Sequence, residues 1–213
     1  VAVLILWYNM GIVFIKGDVA LDESACEKID GYTYADYLQW DKGRRLELIE
    51  GTIVDMTPAP SRLHQEILME LGRQFSNYLL GKVCKVYMAP FDVRLPYQDE
   101  KTEETKTVVQ PDLVVVCDPR KLDQMGCEGA PDLIVEVLSP TTAKHDLIVK
   151  LRLYERAGVK EYWVVHPTDQ TLMAFALRKG EYGKPKVYAS PERVPVDAIA
   201  TFTVDLSTVF NLL

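Results

Sequence analysis

The chain of 213 residues is poor in features that mark whole classes of protein. Its four cysteines, Cys26, Cys84, Cys117 and Cys127, fall at irregular spacings with no C-x-x-C pair, which argues against a structural zinc site. They read instead as reduced, mostly buried thiols, and so as a cytoplasmic protein. Of the histidines, His145 and His166 have no partner at metal-ligand spacing, and His64 reads as structural or solvated unless the positive end of its helix brings it to a phosphate. There is no glycine-rich phosphate loop, and Ser139 precedes a proline and has no nucleophile elbow. Positive charge is in deficit, with 24 basic against 31 acidic side chains and a net charge of -7. That balance excludes a general attraction to phosphate backbones, so any role with nucleic acid has to be local. Repeats and low-complexity tracts are also missing.

Long hydrophobic runs are scarce too. The one candidate, Val1 to Ile15, is interrupted by Asn9 and Gly11 and is shorter than the about 20 residues a spanning helix needs. No basic residue precedes it as a secretory signal would require. Its β-branched and aromatic content suits an extra strand or an arm that touches a second copy, so no membrane partner is expected. The chain does not begin with Met, which leaves an alternative start or an upstream extension open.

What is present is a core. Hydrophobic residues make up 48% of the chain, enough for one sizeable domain. Thr33 is placed to cap a short helix over Tyr34 to Trp40. The runs Arg45 to Ile49 and Thr52 to Met56 alternate and meet at Glu50-Gly51, a hairpin signal. From Ser61, the apolar residues Leu63, Ile67, Leu71, Phe75 and Tyr78 keep a helical period until Gly81. Val83 to Met88 and Phe91 to Leu95 suit strands. Gln98 to Thr107 is hydrophilic enough to be read as an exposed loop. Leu113 to Cys117 and Leu133 to Leu138 are continuously apolar, as central strands covered on both faces are. Thr141 or Thr142 would cap a further helix with Ala143, Leu147, Leu151 and Tyr154 inward, ending at Ala157-Gly158. Glu161 to Val165, Thr171 to Leu177 and Lys186 to Ala189 complete the strands. That order makes the fold α/β.

Chemistry concentrates on carboxylates. Glu136 lies inside the apolar run Leu133 to Leu138, where an ionised carboxylate costs several kcal/mol unless it is paired or bound to metal. If the strand of Asp112 is its neighbour, both could converge on one hard cation such as Mg²⁺ or Mn²⁺, with a backbone carbonyl and waters completing the shell. A buried salt bridge to Lys150 or an arginine satisfies Glu136 equally well, and the residues alone leave both open. Asp146 and Lys150 are spaced to share a helix face, which by itself is usually a solvated pair. Glu47 is another carboxylate among apolar neighbours that could reach the same cleft, although half-exposed strand glutamates are common. Arg44, Arg45, Lys144, Lys150, Arg152, Arg156 and Lys160 are candidate phosphate contacts or simply solvated faces.

Taken together, ELIEG at Glu47 to Gly51, the helix residue His64, QPDLVVV at Gln110 to Val116, PDLIVEVLSP at Pro131 to Pro140, Asp146, Lys150, Tyr154 and AGVKEYWVV at Ala157 to Val165 resemble the Uma-two family of restriction-endonuclease-like proteins, within the PD-(D/E)xK nuclease superfamily. The resemblance spans roughly Tyr32 to Leu177. It implies a restriction-endonuclease-like fold over 32–213, a mixed central sheet flanked by helices, preceded by an arm and linker at 1–31. It further implies that Asp112, Glu136 and the carbonyl of Val137 hold Mg²⁺ or Mn²⁺. Leu138 stands where the superfamily motif has lysine, and the resemblance transfers that role to Lys150 on the following helix, with Glu47 as an additional acidic residue. The implied function is metal-dependent cleavage of nucleic acid, DNA first, by a homodimer. A catalytically silent binding or scaffold protein and a hydrolase of small phosphate esters are the alternatives.

Overall fold

A computed structural model describes residues 31–40, 43–56, 59–139, 143 and 145–211. The arm expected over Val1 to Ile15, the linker behind it, Cys26, the Thr141 or Thr142 cap and Lys144 lie outside the described residues.

After the short helix α1 (Tyr34–Tyr37), strands β1 (Leu46–Ile49) and β2 (Thr52–Asp55) form the expected hairpin. Its two turn residues, Glu50 and Gly51, both have positive φ, at 50° and 79°. A two-residue turn that matches the twist of its strands needs that conformation twice, which Gly51 supplies at no steric cost. Helix α2 (Arg62–Leu79) starts where the Ser61 side chain accepts the His64 amide at 3.2 Å. Strands β3 (Lys85–Met88), β4 (Val93–Arg94), β5 (Val108–Val109), β6 (Leu113–Val116), β7 (Leu122–Asp123), β8 (Gly126–Glu128) and β9 (Leu133–Val137) follow. A π-helical turn, His145–Lys150, runs into α3 (Leu151–Ala157), which Gly158 ends at φ 86°. The rest is β10 (Glu161–His166), β11 (Thr171–Arg178), β12 (Glu181–Tyr182), β13 (Lys186–Ala189), β14 (Arg193–Pro195), β15 (Thr203–Asp205) and α4 (Leu206–Phe210).

The central sheet has the order β12-β11-β10-β9-β6-β3, with β13 paired to β11; β9 and β10 are parallel and their neighbours antiparallel. A second mixed sheet, β2-β1-β5-β4-β8-β7, packs beside it. The fold is the mixed α/β architecture expected. Alternation along the central strands divides the core in two. Leu113, Val115, Leu133, Val135, Trp163 and Val165 face α2, α4 and the β14-β15 pair, where Phe75 is fully buried. Burying a side chain of that size contributes roughly 1.5–3 kcal/mol. Val114, Val116, Ile134, Leu138, Tyr162 and Val164 face α3 and the second sheet. Glu136 shares the parity of Ile134 and Leu138, so it is aimed between the two sheets.

Four expectations require correction. Cys84 and Cys117 form a disulfide rather than a pair of reduced thiols. They flank the Lys85–Val116 pair of the β3–β6 ladder, so register places them opposite each other, although 33 residues separate them in sequence. The argument for a reducing compartment falls with this pairing; Cys127 is a buried free thiol, as expected. The stretch Gln98 to Thr107 is not wholly exposed: Thr105 and Thr107 are buried, Thr105 O accepts the Tyr34 amide and Lys106 O accepts the Gly51 amide, each at 2.8 Å. Backbone demand from α1 and the hairpin turn outweighs side-chain polarity there. The strand over Phe91 to Leu95 shrinks to Val93 and Arg94, and Arg94 is buried under the Tyr34 ring and paired with Asp123 at 2.6 Å. The helix expected as one regular α-helix up to Ala157 carries a π-helical stretch at His145–Lys150 ahead of α3. Among the described residues no helix is long and apolar enough to cross a membrane.

Candidate active site

The site lies between the sheets, where the ends of β1, β6 and β9 meet the turn leading into α3. Glu47 comes from β1, on the face of Ile49, and is 2% exposed. It is not the half-exposed strand glutamate its sequence context suggested. The π turn directs both Asp146 and Lys150 inward, at 4% and 3% exposure, so the pair is not solvated. The Tyr162 hydroxyl donates to the Asp146 carbonyl at 3.1 Å and ties that turn to β10.

Lys150 Nζ lies 2.9 Å from Glu47 Oε1 and 2.9 Å from Glu136 Oε1, with Asp146 Oδ1 at 3.8 Å. The Tyr154 hydroxyl donates to the same Glu136 oxygen at 3.0 Å, and the Gln110 amide donates to Glu47 Oε1 at 2.9 Å. Asp112 precedes β6. Its amide approaches Glu136 Oε2 at 3.4 Å, its Oδ2 accepts the Val137 amide at 2.8 Å, and His64 Nε2 is 3.1 Å from that oxygen. All the expected site residues, Glu47, Asp112, Glu136, Val137 and Lys150, are thus brought together. Leu138, in contrast, packs into the apolar core. The salt bridge left open by the sequence is present, and it is made with Lys150.

Burial first, and then the carboxylates of Asp146, Asp112 and Glu47, push the Glu136 carboxyl well above the usual range, with Lys150 acting against them. Burial alone would depress Lys150, but Glu136, Glu47 and Asp146 outweigh it and hold the ammonium well above its ordinary value. Burial and Glu136 keep Tyr154 protonated, as the donor it has to be. Carboxylates contribute to both shifts: Asp146, Asp112 and Glu47 add to the effect of burial on Glu136, and Glu136, Glu47 and Asp146 share the single ammonium of Lys150. A divalent cation would relieve that surplus. Among the described residues no three His, Cys, Asp or Glu side chains form a ready-made metal cluster. Mg²⁺ asks for less, one or two carboxylates completed by waters and substrate oxygens. Asp112 and Glu136 are the residues that could hold it, because Asp112 Oδ1 has no donor among the described residues and Glu136 Oε2 has only the long contact.

The sequence singled out the carboxylates and Lys150 as site residues; Tyr154 and His64 entered among the residues that carry the family resemblance, Tyr154 with an inward helix position and His64 as structural or solvated unless it met a phosphate, and neither was given a role in the site. The spacing of Lys150 and Tyr154, one helical turn apart behind a buried Glu136, was the available signal. His64 carried no comparable signal, since its partner Asp112 lies 48 residues away. Of the expected phosphate contacts, Lys150 is taken up within the site, and Arg44 pairs with Asp55, Arg156 with Glu50 and Lys160 with Asp132.

Residues 34–207 match the profile of the Uma2 family, described as "Putative restriction endonuclease". An uncharacterized protein of Synechocystis sp., slr1290, is 29% identical over 177 residues, covering 80% of this chain and 88% of its own. In fold, the chain is similar to the crystal structure of "a putative nuclease belonging to DUF820" from Anabaena variabilis, with a TM-score of 0.67, 18% identity, and coverage of 84% of this chain and 97% of that one.

Proposed function

The chain belongs to the Uma2 family, and from that premise we propose that it is a metal-dependent nuclease that hydrolyses phosphodiester bonds, with DNA as the first substrate to test. The observation that carries this reading is Lys150 Nζ at 2.9 Å from both Glu47 and Glu136. That is where a helix-borne lysine would have to sit to replace the one that Leu138 displaces.

In this reading Asp112, Glu136 and the carbonyl of Val137 hold Mg²⁺ or Mn²⁺. A divalent cation supplies Lewis-acid polarisation of a phosphoryl oxygen and activates water at neutral pH. The side chains do the rest. Tyr154 and Lys150 both donate to Glu136 Oε1, which leaves the other oxygen turned toward Asp112. The Lys150 ammonium orients the attacking water and offsets charge developing on the phosphate in a pocket of low dielectric. Glu47 holds Lys150 from the opposite sheet and assists. A homodimer, with 1–31 as the candidate contact and 32–213 as the nuclease domain, would present two sites to a duplex; a light-scattering mass equal to one chain would argue against it.

A second reading, a nuclease-fold protein that binds without turnover, is favoured by the enclosure of Lys150, Glu47 and Glu136, whose side chains are 4%, 2% and 5% exposed. Cleavage of supercoiled and single-stranded DNA with Mg²⁺ or Mn²⁺ separates the two. The nuclease reading expects cutting by the wild type that Asp112→Ala abolishes, and equal behaviour of both proteins on every substrate sinks it. Cutting of nucleotides without polymer binding would point to a small phosphate ester instead.

A further inference from the structure

His64 is 7% exposed, at the first turn of α2, on the side of the central sheet away from α3. Its Nε2 faces Asp112 Oδ2 at 3.1 Å, while Nδ1 is buried and has no hydrogen-bond partner. An imidazole with one buried nitrogen unpartnered is a poor choice for filling space, because that nitrogen forfeits its hydrogen bonds to water. An apolar side chain would pack there at lower cost. Asp112 Oδ2 therefore has two donors, the Val137 amide and the His64 ring, on a carboxylate whose other oxygen has none among the described residues.

We propose that His64 is a positioning residue that pins Asp112 Oδ2 and thereby presents Oδ1 toward the metal. With the Val137 amide alone, the carboxylate can rotate about its last bond and exchange its oxygens. With a second donor from a different element, α2, both the plane and the choice of oxygen are fixed. Carboxylate ligands held in this way by outer partners bind metal better than unsupported ones, and loss of such a partner commonly costs 10–100-fold in affinity. His64 would also link the order of the first turn of α2 to the geometry of a site on the other face of the sheet. The inference rests on the metal reading above.

Three proteins decide it: wild type, His64→Phe, which keeps a ring without the donor, and His64→Gln, which restores an N–H near the Nε2 position. Calorimetry with Mn²⁺ alone is expected to show affinity reduced about 10–100-fold in His64→Phe and largely recovered in His64→Gln, with both variants melting cooperatively. A nitrogen-15 spectrum of the metal-free wild type is expected to show the proton of the His64 ring on Nε2. Wild-type Mn²⁺ affinity in His64→Phe, or a bare Nε2, overturns the positioning role while leaving the metal site standing. Absence of Mn²⁺ binding in the wild type overturns the metal reading itself and the role of His64 within it.

Discussion

Glu136 and Glu161 sit on the adjacent parallel strands β9 and β10, are 4% and 2% exposed, and face opposite sides of one sheet. Glu161 shares the parity of Trp163 and points into the apolar side, where the Trp163 indole N–H and the Ala198 amide each donate to it at 2.7 Å. Neutral donors complete its shell, and nothing else is asked of it. Glu136 points into the other side and meets an ammonium, a phenol and three more carboxylates. A buried carboxylate held by neutral N–H groups is an element of structure. One held by a lysine that is itself shared between carboxylates has charge to exchange, and this distinguishes the two faces of the sheet.

The comparison breaks most visibly at Lys150. Lys150→Met leaves Glu47 and Glu136 buried without their cation, and removal of one partner of a buried pair costs about 3–5 kcal/mol. Cleavage should fall at least about 10²-fold, as for loss of a donor aimed at developing charge. Urea unfolding and a cleavage time course measure the two effects. Adding Glu136→Gln to Lys150→Met should recover part of the stability and none of the activity, since one of the two stranded carboxylates is neutralised while Glu47 stays unpaired and the site is not rebuilt. If activity returned with stability, Lys150 would be a structural counter-ion and nothing more.

That test addresses the part of the site that the sequence made legible. A charge inside Leu133 to Leu138 was costly enough to demand a partner, and Lys150 was named as one of the candidates. The long helix α2, the end of α3 at Gly158, the opening hairpin and the central strands were legible from periodicity and turn residues, and these described elements fall within a few residues of the expectation. What stayed hidden depends on register and on backbone demand. Cys84 and Cys117 face each other only once Lys85 is known to pair with Val116. Thr105 to Thr107 look like loop residues until α1 and the hairpin turn need their carbonyls. Glu161 stands at the edge of its apolar run, where a carboxylate would ordinarily reach solvent, and the segment around Ala198 that covers it is distant in sequence.

The disulfide tests the apolar side on its own terms. Cys84 and Cys117 pack against the α2 core, so their loss should reduce stability and spare the chemistry. Non-reducing peptide mapping should recover the two cysteines as one cross-linked species. Replacing both by Ala should lower unfolding free energy by about 2–4 kcal/mol for a loop of this length, with the cleavage rate per folded molecule unchanged. A cleavage defect of the size of Lys150→Met would mean that β6 transmits strain to Asp112 and that the two faces are not independent.

The smallest effect is at Glu161, and its direction is fixed by burial, which raises its carboxyl above the ordinary 4.5 despite the Ala198 and Trp163 donors. A folded value above the unfolded one means that the fold prefers the protonated acid. The stability this contributes is fully present below about the unfolded value and is lost as pH rises through the raised folded value, after which the ionised group is a standing cost. Glu161→Gln keeps acceptor capacity for one of the two N–H groups and removes the titration. Its net effect at neutral pH should lie within about 1 kcal/mol of wild type, and its stability should change less than that of wild type as pH is raised from 4 upward, measured by urea midpoints. Cleavage should be unaffected, because Glu161 lies across the sheet from Lys150. A Glu161→Gln protein that folded normally and lost activity would place a working carboxylate on the apolar side and dissolve the distinction between the two faces.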